Sequence, residues 1–189
     1  IYKIKSRGEL GLPKGKEIVI LQGSGINIHR GAEELLEAIA VQDHFFLCIV
    51  GSGDVINSLK KRSKLIDLRD KVLFFSSLPY EKMMQYTLNC DVGISLDKSN
   101  NINYKLSLPN KIFDYAKAQI PFVSTNLIEI KKIVDEYNTG VLINSLSQKN
   151  IIKGLEKAII LRNSENFKKN ISIMNSNLNW ENESQSMIK

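Results

Sequence analysis

Histidine and cysteine are scarce, with two of each in 189 residues, and no Cys-x-x-Cys occurs. A structural zinc site needs clustered ligands at short spacing, so that class is disfavoured. Cys48 lies inside an apolar run and Cys90 beside one. Both read as small buried hydrophobes rather than ligands or a bridge, and a reducing compartment suits them. Long apolar runs are also missing, so no membrane span is expected. No signal peptide is visible. The chain opens on Ile1 rather than Met; it reads as a piece of a longer protein, for which the lack of N-terminal signals carries no weight. An arginine-rich stripe interleaved with aromatics is absent, which disfavours nucleic acid as a partner. There is no internal repeat.

What remains is ordinary globular material, 43% hydrophobic and 24% charged. The length suits one domain, or one domain with a tail, and buries a good core. The net charge is +6, with local groups at Lys60-Lys61-Arg62 and Lys131-Lys132. Such mild basicity is that of a solvated surface. It is also compatible with an anionic ligand, or with a peripheral contact to acidic lipid.

Short apolar runs recur at Ile18 to Leu21, Phe45 to Val50, Val72 to Phe75, Val92 to Leu96, Pro121 to Ser124 and Val141 to Ile143. Most are continuous rather than alternating, as in parallel strands covered on both faces. Helical stripes separate them. Leu35, Leu36 and Ile39 form one, and Tyr80, Met83, Met84 and Thr87 another. Leu127, Ile130 and Val134 follow, then Ile151, Leu155 and Ile159. This alternation predicts an α/β fold: a doubly wound, mainly parallel, Rossmann-like sheet of about six strands with helices on both faces. Ligands in such folds bind beyond the C-terminal strand ends.

The loops at those ends carry the candidate chemistry. The run from Ser107 to Ala116 reads as a loop entering a helix. Ser107 is the expected N-cap, with Pro109 just inside the start. Ile112, Phe113 and Ala116 would form its apolar face, and Lys111 and Asp114 the other. Free N–H groups and the helix dipole would suit a phosphate, Lys111 would add charge, and Asp114 could accept from sugar hydroxyls. Any capped helix on a sheet, with a surface ion pair, gives the same pattern. Gly23-Ser24-Gly25 follows the first run and leads to His29-Arg30-Gly31, where a guanidinium could bridge two phosphate oxygens. A turn with a solvated Arg reads equally well; His29 could hydrogen-bond a phosphate, but such a His is more often a loop residue without chemistry. His44 is expected at the surface. Gly51-Ser52-Gly53-Asp54 suits a tight turn, with Asp54 capping the next helix. Ser76, Ser77 and Leu78 leave the third run. Asp91 reads as structural, and Glu129 and Asp135 as surface. A polar loop, Asp97 to Lys105, leads back to the helix at Lys111.

In order and spacing, these segments from about Gly11 to Trp180 resemble family 4 glycosyltransferases of the GT-B fold. The run SLPNKIFDYAKAQIPFV is similar to that family's nucleotide-sugar-binding segment, "PxKxxEYxAxGxPV". Asp114 stands where the family has the second Glu of its Glu-x7-Glu motif, which holds the donor's ribose. The first Glu, which contacts the donor sugar, would fall at Leu106 and is missing. The stretch from Gln22 to Gly31, with LLEAI after it, resembles "QGxxxxxRG", placing Arg30 on the donor's phosphates. Ser24 occupies the earlier basic position of the "GRxxxxKG" form. IVGSGD is a frequent family form. VLFFSSLP resembles "VxFxGxVP", whose backbone meets the base, with Ser76 in place of Gly. The strand beginning Cys90-Asp91 resembles "aDvxvxps". Asn179-Trp180-Glu181 is similar to the "WE" near the family's C-terminus, where Trp180 would anchor on a partner domain.

The resemblance implies a donor-binding C-terminal domain. Residues 1–16 would lead in from an N-terminal acceptor-binding domain, 17–162 would bind the nucleotide sugar, and 163–189 would form a helical tail. Arg30 and Lys111 would be catalytic, stabilising the departing diphosphate. Gly23, Ser24, Gly25, Gly51, Ser76, Leu78, Leu108, Pro109, Asn110 and Asp114 would bind the donor. The implied reaction is retaining transfer from a nucleoside-diphosphate sugar, with no cofactor and no metal, in cell-surface polysaccharide or glycolipid synthesis. It would take place in the cytoplasm or at the inner face of the membrane. The chain alone would bind donor and turn nothing over. Alternatives are a non-catalytic or degenerate nucleotide-binding α/β module and, against the paucity of His, a nucleotide-sugar epimerase. A phospho-acceptor signalling domain would need acids at the first strand exit, where Gln22-Gly23-Ser24 has none.

Overall fold

The computed structural model describes residues 3–98 and 106–178. Asn100, Asn101, Asn103 and Tyr104 of the polar loop, and Trp180 with its neighbours, lie outside the described residues. Six strands form one fully parallel sheet: β1 (Glu17–Gly23), β2 (Phe45–Gly51), β3 (Val72–Phe75), β4 (Val92–Ser95), β5 (Phe122–Thr125) and β6 (Gly140–Ile143). Their order is β3-β2-β1-β4-β5-β6. The chain winds outward from β1 in one direction and from β4 in the other. The switch between β1 and β4 opens a crevice at the C-terminal strand ends, where ligands of such sheets sit.

The continuous apolar runs are explained by coverage on both faces. Val19 and Leu21 of β1, with Phe45, Leu47 and Ile49 of β2, enter one core. Ile18 and Ile20, with Phe46, Cys48 and Val50, enter the other. The first core is closed by α1 (Ala32–Ala40), α2 (Ile56–Leu65) and the later α6 (Gln148–Arg162). The second is closed by α3 (Tyr80–Thr87), α4 (Lys111–Lys117), α5 (Ile128–Tyr137) and α7 (Phe167–Asn177). Cys48 and Cys90 are free and buried there, and burial pushes the Cys90 thiol up.

Several local expectations shift by a residue or a turn. α4 begins at Lys111, so Ser107 is not its cap, and Asn110 at the cap position makes no side-chain capping bond. The Ile112 and Phe113 N–H groups donate to the Pro109 and Asn110 carbonyls in a tight first turn, so they are not the free donors expected of the helix start. Tyr115 rather than Phe113 joins Ile112 and Ala116 in the core. α5 buries Ile130, Ile133 and Tyr137 in place of Val134, and α6 buries Ala158 in place of Ile159. Ser147 caps α6. Asp54 does not cap α2; it accepts from the Ile28 N–H and ties two loops together. Lys131 pairs with Asp135 and Lys132 with Glu129 on the solvent-facing side of α5. His29 and His44 are exposed.

At the other end of the sheet, just before central strand β4, Asp91 is 2% exposed. It accepts from the Ile18 N–H and from the guanidinium groups of Arg7 and Arg162. One carboxylate thus joins the leading segment, β1 and α6. Leu10 and Leu12 of that segment, and Phe167, Ile171 and Met174 of α7, are buried in the second core. Asp91→Ala takes the shared carboxylate from two arginines at the N-terminal ends of the central strands. It is expected to cost about 3 kcal/mol of stability in a denaturant titration; a loss under about 1 kcal/mol would show the network to be idle.

Candidate functional site

A cleft of about 580 Å³ opens over the C-terminal ends of β1 and β2, a volume suited to a mononucleotide-sized ligand. Two turns are zipped together at its base. The Ser52 N–H donates to the Gly23 carbonyl at 3.1 Å and the Ile26 N–H to the Ser52 carbonyl at 2.9 Å. The fit is close at Gly51, whose φ is +147° and whose added Cβ would lie 1.8 Å from the Gly23 carbonyl oxygen. At Gly53 it would lie 2.0 Å from the Ile26 carbonyl oxygen. Only glycine permits the two backbones to run this near each other.

Arg30 and Lys111 share one end of the cleft. Arg30 Nη1 lies 3.1 Å from Asp97 Oδ1. Asp97 is fully buried at the exit of β4, its carbonyl accepts from Thr125 Oγ1, and its Oδ2 has no hydrogen-bond partner among the described residues. Burial lowers the Lys111 pKa; the Asp97 charge opposes that and the Arg30 charge adds to it. The end of the cleft therefore holds two cations over one buried anion, an arrangement that favours a bound anion.

Asp114 lies further along the same wall. Its Oδ2 accepts from Gln22 Nε2 at 2.9 Å and its Oδ1 from Tyr80 Oη at 3.0 Å. Gln22 is buried and accepts from Thr87 Oγ1. Burial raises the Asp114 pKa, and both donors pull it back down. Burial, then the Asp114 charge, pushes the Tyr80 phenol up to about 12.

Of the residues expected at the site, Arg30, Lys111, Gly23, Ser24, Gly25, Gly51, Leu78, Pro109, Asn110 and Asp114 line this cleft. Ser76 and Leu108 do not. Ser76 is exposed and its neighbour Ser77 lines the cleft instead, with its hydroxyl on Ser52 Oγ at 2.8 Å. Leu108, in the segment that enters α4, is partly buried against the second core, where its apolar side chain is shielded from water. Sequence reading missed Gln22, Val50, Tyr80 and Met83 as lining residues and Asp97 as the partner of Arg30. A polar residue ending an apolar strand, such as Gln22 or Asp97, was the available signal. Among the described residues no helix is long and apolar enough to cross a membrane, and no group of three or more His, Cys, Asp or Glu is placed to hold a metal ion.

The profile of the family described as glycosyl transferases group 1 matches residues 3–173. The chain belongs to that family. It is similar in fold to WaaG, a glycosyltransferase involved in lipopolysaccharide biosynthesis, at 17% identity and a TM-score of 0.70, covering 90% of this chain and 45% of that one. It is also similar to Anabaena HepE in complex with UDP, at 15% identity and TM-score 0.73, covering 90% and 46%. A third likeness is to the C-terminal domain of the group 1 family protein LpcC from Francisella tularensis, at 15% and TM-score 0.67, covering 88% and 89%. The chain thus spans under half of the first two and most of the isolated C-terminal domain. No curated protein sequence matches.

Proposed function

We propose that this chain is the donor-binding half of a retaining glycosyltransferase that moves a sugar from a nucleoside-diphosphate sugar to an acceptor, without a metal ion. The observation that carries the reading is the pairing of Arg30 and Lys111 at one end of a nucleotide-sized cleft with Asp114 along its wall. The diphosphate lies against the two cations and the ribose against Asp114. As the bond between the anomeric carbon and the diphosphate oxygen breaks, negative charge grows on the leaving oxygen, where fixed cations stabilise it most. A second, N-terminal domain brings the acceptor. The pathway is cell-surface polysaccharide or glycolipid synthesis, at the inner face of the membrane; the likeness to WaaG, involved in lipopolysaccharide biosynthesis, supports the pathway class, and the UDP held by HepE supports the nucleotide donor.

A thermal-shift panel of UDP, GDP, ADP and CDP on the full-length protein tests the reading. A ligand at about 100 times its dissociation constant adds roughly 2.7 kcal/mol of stability. The expected result is a shift with one diphosphate, unchanged by EDTA and lost in Lys111→Ala. Silence with every nucleotide at millimolar concentration would favour the degenerate, non-catalytic module, a reading that exposed Leu106 in place of a carboxylate keeps alive.

A further inference from the structure

Both carboxylate oxygens of Asp114 carry a protein donor, and the two donors differ in kind. Gln22 is 1% exposed, and its Oε1 is taken by the hydroxyl of fully buried Thr87. That leaves its amide N–H₂ group facing Asp114, so this donor is a fixed part of the scaffold. Tyr80 is 49% exposed and lines the cleft. It opens α3, directly after Pro79.

Tyr80 is nevertheless held. Its hydroxyl donates to Asp114 Oδ1 at 3.0 Å. The Lys117 ammonium lies 5.3 Å from its ring centroid, within range of a cation–π contact. A phenol that gives its single proton to a carboxylate keeps its own lone pairs for accepting, and each carboxylate oxygen keeps a second acceptor position. Tyr80 Oη and Asp114 Oδ1 therefore stand as two acceptors side by side in the wall of the cleft. Their spacing suits two neighbouring hydroxyls on one sugar ring. Asp114 alone, with a short side chain and one oxygen committed to Gln22, presents a narrower target.

We propose that Tyr80 is a specificity-determining residue which, paired with Asp114, reads the adjacent hydroxyls of the donor's ribose, so that the cleft takes ribonucleoside diphosphates in preference to their deoxy counterparts. This rests on the reading of the cleft as a nucleotide-sugar site. Gln22 orients the carboxylate, and buried Thr87 fixes Gln22, so both are positioning residues in this scheme.

Calorimetric titration of the full-length protein with UDP, GDP and ADP and with their 2′-deoxy forms is the test, on wild type, Tyr80→Phe and Lys111→Ala. Tyr80→Phe keeps the ring and its contact with Lys117. Wild type is expected to prefer the best ribonucleotide by about 10-fold. In Tyr80→Phe that ribonucleotide should bind about 3- to 10-fold more weakly while the deoxy form changes little, so the preference collapses. Lys111→Ala should weaken both forms equally and keep the ratio. A preference unchanged in Tyr80→Phe would overturn the proposal and leave Asp114 as the reader. A rise in ribonucleotide affinity would overturn it too, by showing that Tyr80 competes for Asp114. Should wild type bind no nucleotide, the donor-site reading falls first and this one with it.

Discussion

On the proposed donor-site reading, Lys111→Ala is expected to lower sugar transfer by the full-length protein about 10²- to 10³-fold, the usual loss when one preorganised donor to a developing oxyanion is removed. The effect falls on kcat and kcat/KM together, because the interaction strengthens as the leaving diphosphate gains charge. Lys111 is the cleaner of the two cations to remove. Arg30→Ala should slow transfer as much, but it also takes the guanidinium from Asp97, which is fully buried. An uncompensated buried carboxylate costs about 3 kcal/mol or more, so that variant loses stability along with rate. The double variant Arg30→Ala/Asp97→Asn separates the two effects. It should regain most of the melting temperature and none of the rate. Steady-state kinetics beside a melting curve reads both. Transfer within a few-fold of wild type in Lys111→Ala would remove the cation pair from the chemistry.

Gly51→Ala unzips the base of the cleft. The new methyl would meet backbone atoms, the Gly23 carbonyl oxygen at 1.8 Å and its carbon at 2.9 Å. Neither can swing aside as a side-chain end could. The φ of +147° adds strain for any residue with a Cβ. Strain and overpacking each cost about 1–3 kcal/mol, so a total near 4 kcal/mol is expected. For a chain of this length that lowers Tm by about 8–16 °C. Nucleotide binding should weaken further, since β1 and β2 present their exit loops to the ligand only while these bonds hold. Gly25→Ala is the control. Its nearest neighbour is Asn27 Nδ2 at 3.9 Å, and its Tm should stay within about 2 °C. A Gly51→Ala protein as stable as that control would show that the two turns are free to separate.

The strands were legible because burial on both faces fills them with consecutive apolar side chains and leaves polar ones, such as Gln22, Ser95 and Ser124, at or near their C-terminal ends. All six apolar runs became strands, within one or two residues at each end. The loops at their C-terminal ends were legible for a related reason. Gly23, Gly51 and Gly53 break the apolar pattern where two backbones must touch, and Arg30 and Lys111 follow at positions that no core could accommodate. α2 was nearly silent, because only Leu59 and Ser63 of its ten residues are buried. The start of α4 was misplaced because Ser107 and Pro109 satisfy the local rules for a helix entrance, while the packing of Leu108 against the core holds the chain in a turn until Lys111.

The chain by itself therefore determined the sheet, its two covered faces and the strand ends at which the cleft opens, all of which follow from short-range polarity. Only the tertiary structure decided the pairs that make the site. Asp97 meets Arg30 across 67 positions, Thr87 meets Gln22 across 65, and Gln22 meets Asp114 across 92. Those contacts depend on strand order and register: placing β4 beside β1 delivers the exits of both strands and the start of α4 to a single crevice. A hydrogen bond acts over about 3 Å, and nothing in the local pattern of either partner records which distant residue will arrive within that range.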